Sequence, residues 1–159
     1  MTIPPISTHL GAFSVAGLSV RTRNSDEMNP ATARIGDLWE RFFSQSWERS
    51  LPARGAADDR IFGVYSGYES NEHGAFDVTA CVAVPAPITP VAGAVQVSVQ
   101  AGRYLVFAGQ GEMPQAVIAA WQGVWRYFAD NPQARRRFGT DFEMYEGPDK
   151  VAIHIGVLD

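Results

Sequence analysis

Asp141-Phe142-Glu143-Met144-Tyr145 sets two carboxylates and a phenol at alternate positions near the end of the chain. Successive side chains leave a pleated strand on opposite faces, so Phe142 and Met144 share one face and Asp141, Glu143 and Tyr145 the other. With the apolar pair turned to the core, Glu143 and Tyr145 look together into the space beyond. A carboxylate beside an aromatic ring on a rigid strand can hold an organic cation. The plainer alternative makes Glu143 the solvated half of an amphipathic strand. The chain is also rich in large rings, among them Trp39, Trp47, Trp121, Trp125, Tyr65 and Tyr68. Core packing accounts for most rings on helical stripes. Tyr and Trp, with their polar handles, also line pockets for flat or cationic ligands.

Other chemistry is poorly provided for. Gly109-Gln110-Gly111 lacks the further glycine, the lysine and the strand-to-helix setting of a phosphate loop. His9, His73 and His154 are far apart and have no metal-ligand spacing. We therefore expect no metal and no cofactor, and folding that needs no divalent ion. Cys81 sits in an apolar run and reads as an inert buried thiol. Arg135-Arg136-Arg137 could grip a phosphate, but reads more simply as a solvated loop after a helix end.

A single domain is expected from 159 residues, with a hydrophobic fraction of 46% and a charged fraction of 19%. The net charge of −4 disfavours a general nucleic-acid binder, which carries a basic footprint. One cysteine excludes an internal disulfide and suits a reducing, cytoplasmic setting. Met1 to Pro5 shows no basic region followed by an apolar run, and no apolar segment nears the roughly 20 residues that span a bilayer.

The elements that must position Glu143 follow in order. Residues 12–21 read as a strand that bends near Gly17. Asn29-Pro30 predicts a helix start, Asn as cap and Pro at the first helical position. Ile35, Leu38, Trp39 and Phe42 then repeat on one helical face, and the helix is expected to end between Ser46 and Ser50. A loop over 51–59 leads to a strand over 60–68. A second strand over 76–84 puts Phe76, Val78, Ala80, Val82 and Val84 on one face. Residues 85–90 carry three prolines and read as an extended linker. The order then restarts: broken strand material over 95–110, a helix opening at Pro114 with a stripe of Ile118, Trp121, Trp125 and Phe128, and a final hairpin turning at 146–150. Leu38-Trp39-Glu40-Arg41-Phe42-Phe43 echoes Val124-Trp125-Arg126-Tyr127-Phe128, and Tyr65-Ser66-Gly67 echoes Tyr145-Glu146-Gly147. The reading is an α+β fold of two duplicated strand-helix-strand-strand modules with pseudo-two-fold symmetry, a mostly antiparallel sheet and two main helices. Repeat one covers about 9–84, the linker 85–94 and repeat two about 95–159 of one domain, 1–159. A duplicated domain leaves a groove between its halves.

Several runs together resemble the GyrI-like (gyrase-inhibitor-like) effector-binding domains. They are Met28-Asn29-Pro30-Ala31-Thr32 before Leu38-Trp39-Glu40-Arg41-Phe42-Phe43, Gly63-Val64-Tyr65-Ser66-Gly67-Tyr68-Glu69-Ser70 with Gly74, Pro114-Gln115 with Trp121 and Trp125, and Asp141 to Tyr145. The likeness runs in order through nearly the whole chain. It implies two strand-helix-strand-strand modules and a groove for small, often cationic and aromatic, molecules, frequently as the sensor half of transcription activators. The family's functional carboxylate maps onto Glu143. Unlike those regulators, the sequence offers no residues for a DNA-binding helix-turn-helix.

The first expectation is thus a stand-alone small-molecule binding protein with an acidic, aromatic-lined groove for cationic or amphipathic aromatic ligands. Its ligand-binding set is Glu143, Tyr145, Tyr65, Tyr68, Trp39, Trp125 and Phe107. The partner is a small molecule rather than nucleic acid or membrane, with a homodimer or a separate regulator protein open. One alternative, which some family members suggest, is a hydrolase of electrophilic small molecules, with Glu143 as general base and Tyr145 beside it. Another is a gyrase-inhibitor-type protein-binding module with an acidic surface and no pocket.

Overall fold

The structure, a computed structural model, describes residues 4–51, 60–85 and 91–158. These residues form eight strands, β1 (Ile6–Leu10), β2 (Phe13–Thr22), β3 (Ile61–Ser66), β4 (Phe76–Val84), β5 (Val95–Val99), β6 (Gly102–Gln110), β7 (Asp141–Tyr145) and β8 (Lys150–Gly156). Among the described residues four helices join them: α1 (Asn24–Glu27), α2 (Ile35–Ser44), α3 (Trp47–Ser50) and α4 (Gln115–Asp130). All strands lie in one antiparallel sheet, in the order β1-β6-β8-β7-β3-β4-β2-β5.

That order is a palindrome. Moving β1, β2, β3 and β4 four places on gives β5, β6, β7 and β8, and the list reads backwards. Such a reversal is what a two-fold axis between the central neighbours β3 and β7 produces. Gly63 faces Glu143 across this pair, Tyr65 lies opposite Asp141 and Ile61 opposite Tyr145. The Tyr65-Ser66-Gly67 and Tyr145-Glu146-Gly147 echo brackets the same axis, and both glycines adopt positive φ, 59° and 74°.

Each module lends its first strand to the other: β1 pairs with β6, and β5 with β2. Only Gly11 and Ala12 link β1 to β2, and only Gln100 and Ala101 link β5 to β6. Consecutive Cα atoms are about 3.8 Å apart, so such links keep the two ends of the sheet close and the sheet must curl. The curled face encloses Val15, Phe62, Cys81, Val99, Tyr104 and Phe142. Phe13 closes it, with ring centroids 5.7 Å from Phe62 and 5.5 Å from Phe142. The other face carries the helices, α2 through buried Leu38 and Phe42 and α4 through buried Val124. In β4 the face expected from alternation holds: Phe76, Val78, Ala80, Val82 and Val84 meet α2, while Cys81 and Ala83 face the curl.

Three expectations need correction. The helix expected from Pro30 is α2, which starts at Ile35. Asn29 spends its Oδ1 on the Ala31 amide two residues on, closing a tight turn instead of a cap. Glu27 caps α2 from outside, its carboxylate accepting from the Arg34 and Ile35 amides at 2.9 and 3.1 Å and from the Thr22 hydroxyl at 2.6 Å. Second, β1 precedes the first expected strand. Its side chains are mostly exposed, so it lacks the alternation that reveals a half-buried strand. Third, the Arg136 side chain is largely enclosed, 9% exposed, rather than solvated. The break at Ala101-Gly102 does separate two strands, though they sit at opposite ends of the sheet. The expected 51–59 loop and the proline linker lie largely outside the described residues.

Candidate functional site

A cavity of about 840 Å³ lies against the central strands, lined from both α2 and α4 and bracketing the pseudo-two-fold axis. Because directly paired residues share a face, Ile61, Gly63 and Tyr65 of β3 rise beside Tyr145, Glu143 and Asp141 of β7. Glu143, 4% exposed, forms the floor. Tyr65 Oη donates to its Oε2 at 2.8 Å, Trp121 Nε1 to the same oxygen at 2.7 Å, and Tyr145 Oη to Oε1 at 2.8 Å. The two tyrosines are counterparts across the axis, one for each carboxylate oxygen. Gly63 makes the room: a Cβ there would stand 2.7 Å from Glu143 Oε1 and 3.0 Å from Trp39 Cζ2.

Burial pushes the Glu143 carboxyl above its ordinary range, and the three donors from Trp121, Tyr65 and Tyr145 pull it back only in part. Desolvation and the adjacent carboxylate push the Tyr65 and Tyr145 hydroxyls upward, so both remain donors. Among the described residues no Arg, Lys or His pairs with Glu143. A charge in such a place has its lone pairs satisfied yet no counter-ion.

Rings stand on either side. Trp39 of α2 contacts Tyr145 edge-on with centroids 5.6 Å apart and stacks on Phe43 at 5.8 Å. Trp121 of α4 lies 5.1 Å from Tyr65 and 6.2 Å from Trp125. The mouth is apolar and open: Met28 is 86% exposed, Ile118 53%, Phe43 50% and Trp125 48%. The Ile118-Trp121-Trp125 stripe therefore lines the cavity, Trp121 also packing on the core that α4 reaches through Val117, Ala120, Val124, Tyr127 and Phe128.

At Asp141 the site gains a second charged group. Arg136 Nη2 donates to Asp141 Oδ2 at 2.8 Å, Tyr68 Oη donates to the same oxygen at 2.6 Å, and the Gly156 amide donates to Oδ1 at 2.8 Å. The guanidinium lies 4.5 Å from the Phe138 ring centre. Burial opposes its charge, but Asp141, Tyr68 and Glu72 together outweigh it and hold its pKa up.

Of the expected set, Glu143, Tyr145, Tyr65, Tyr68, Trp39 and Trp125 all line the cavity. Phe107 does not: it packs beneath α4, 5.5 Å from Tyr127 and 6.2 Å from Phe128. Trp121, the direct donor to Glu143, was missing from that set. Its position one helical turn before Trp125 was the available signal. Arg136, Glu27 and Glu72 also reach the cavity, with no local pattern to announce them. Cys81 is fully buried, and burial raises its thiol far from reactivity. His154 lies on the curled face, stacked on Phe142 with centroids 4.2 Å apart, and burial lowers its pKa. Among the described residues no group of three or more His, Cys, Asp or Glu could hold a metal ion, and no helix is long and apolar enough to cross a membrane.

A duplicated antiparallel sheet with a helix-roofed cavity on its pseudo-two-fold axis defines an effector-binding domain of the GyrI-like class. The chain belongs within that class to the integron-associated effector binding proteins, Cass2, which it matches over residues 8–157. The integron cassette protein VCH_CASS2 of the Vibrio cholerae mobile metagenome is 38% identical, with a TM-score of 0.81 over 99% of this chain and 97% of that one. YobU of Bacillus subtilis, named for transcriptional regulation, is 29% identical over 94% of each chain. The fold is shared with SAV2435, solved bound to tetraphenylphosphonium, at 17% identity and a TM-score of 0.77 over 98% of this chain and 94% of that one.

Proposed function

We propose that this protein binds lipophilic organic cations, with Glu143 as the counter-ion and Trp39, Trp121, Trp125, Tyr65 and Tyr145 as the aromatic walls. One observation carries the reading: a buried carboxylate, held by three donors and lacking a basic partner, forms the floor of an otherwise aromatic cavity. An incoming cation supplies the missing charge, and rings on both sides add cation–π attraction. The volume of about 840 Å³ lies in the range of drug-sized pockets, roughly 300–1,000 Å³. The tetraphenylphosphonium held by SAV2435, on the same fold, supports the ligand class.

The test is titration calorimetry with tetraphenylphosphonium and with neutral triphenylphosphine oxide, on the parent and on Glu143→Gln. Gln can accept from Tyr65 and Trp121 through its oxygen and donate to Tyr145 Oη through its amide, so the fold should stand. Loss of the charge should weaken the phosphonium by more than about tenfold, equal to 1.4 kcal/mol, and leave the neutral probe unchanged. The melting temperature of the unliganded protein should hold or rise. Equal cation affinity in Glu143→Gln, or its unfolding, would overturn the reading. Recovering the ligand at unchanged mass separates binding from a hydrolytic use of the same carboxylate.

A further inference from the structure

Arg136 lines the same cavity, yet only part of its guanidinium is occupied. Nη2 is committed to Asp141 at 2.8 Å, with Tyr68 Oη at 3.4 Å. Nε is sealed from solvent and has no partner. Nη1 makes no hydrogen bond and is not among the sealed atoms, which leaves it as the uncommitted donor of a side chain that lines the cavity. The side chain is 9% exposed and held over Phe138, which fixes where Nη1 points.

We propose that Arg136 Nη1 is the donor of a second subsite, so that the ligand class is an organic cation bearing a neutral hydrogen-bond acceptor, such as a carbonyl, on a rigid arm. This rests on the cation reading above. The spacing follows from the strand. Asp141, which anchors Arg136, and Glu143 lie two residues apart on the same face of β7, roughly 7 Å at about 3.3 Å per residue. One phenyl ring between cationic centre and carbonyl bridges that span. The acceptor is neutral because Arg136 is already neutralised by Asp141, and Glu72, whose charge also acts on Arg136, lines the cavity too. A ligand carboxylate there would leave an excess of buried negative charge.

The experiment compares (4-benzoylbenzyl)triphenylphosphonium with its (4-benzylbenzyl) counterpart, which replaces the carbonyl by a methylene, on the full chain by calorimetry. In the parent the ketone should bind about tenfold tighter. In Arg136→Lys, whose ammonium is taken up by Asp141, the ratio of the two affinities should shrink below about threefold, whatever the shift in the affinity of the methylene compound itself. If Arg136→Lys fails to fold, Arg136→Gln/Asp141→Asn, which removes both charges together, gives the same readout. Equal binding of the two probes to the parent, or an advantage that survives loss of Arg136, overturns the subsite and leaves the cation reading intact. Binding of neither probe overturns the cation reading and the subsite with it.

Discussion

Glu143 is a compromise between two opposed effects, and its protonation sets the charge on the cavity floor. Burial favours the neutral acid, whereas donors from Trp121, Tyr65 and Tyr145 favour the carboxylate, and burial wins. The folded carboxyl thus takes its proton at higher pH than the unfolded one, whose ordinary value is 4.5. Between those two values the folded state holds more protons, so stability falls as pH rises through the window. Cation affinity must run the other way, since only the carboxylate attracts a cation. Titrations with tetraphenylphosphonium should weaken as pH drops through the raised pKa, and Glu143→Gln should flatten that profile. A parent profile flat down to 4.5 would contradict it. Gly63→Ala should also weaken the phosphonium, by about tenfold, because the new Cβ forces Oε1 or Trp39 to shift. Unchanged affinity would show that the carboxylate has room to spare. Alternation puts Glu143 on the face away from Phe142 and Met144 but leaves a solvated strand residue equally open, and only the family resemblance singles it out. Gly63 was not legible as a site residue, since its role exists only once β3 and β7 are in register.

Among elements, α2 shows how a correct periodicity can carry a wrong boundary. Ile35, Leu38, Trp39 and Phe42 mark its inner face, and the structure keeps that face. The start was misread because Asn29-Pro30 is a local signal, and the cap comes from Glu27, the last residue of α1, across the turn that follows it. Glu27 also lines the cavity, so the cap and the wall share one side chain. Glu27→Ala strips the carboxylate from the Arg34 and Ile35 amides. Losing a cap costs about 1–2 kcal/mol, and at 2–4 °C per kcal/mol for a chain of this size the melting temperature should fall by about 2–8 °C. Thermal unfolding checks it. No change would mean that water replaces the cap without cost. The 135–137 loop failed for a related reason: the partners of Arg136, Tyr68 and Asp141, are remote or on a later strand, and charge patterning alone reads such a run as solvated.

At the scale of the whole molecule, the swap of first strands is what the duplication hides from sequence. A repeat of about 80 residues implies two alike modules, but not that β1 covers the edge of β6 while β5 covers β2. Deleting residues 1–10 separates two consequences of that arrangement. Ladder hydrogen bonds contribute about 1 kcal/mol each net, and ordering a residue costs about 1–2 kcal/mol, so the mostly exposed β1 adds little stability by pairing alone. The melting temperature should therefore drop by only a few degrees. The edge is another matter. Without β1 the whole of β6 presents unpaired amides and carbonyls beside Leu105 and Phe107, and an open edge of that length recruits another chain. The shortened protein should self-associate with rising concentration in analytical ultracentrifugation, at a lower concentration than the parent. Association that matches the parent would show that the β6 edge is blunted by other means. Collapse of the fold would show that β1 contributes through Leu10 and the curled core more than its exposure suggests.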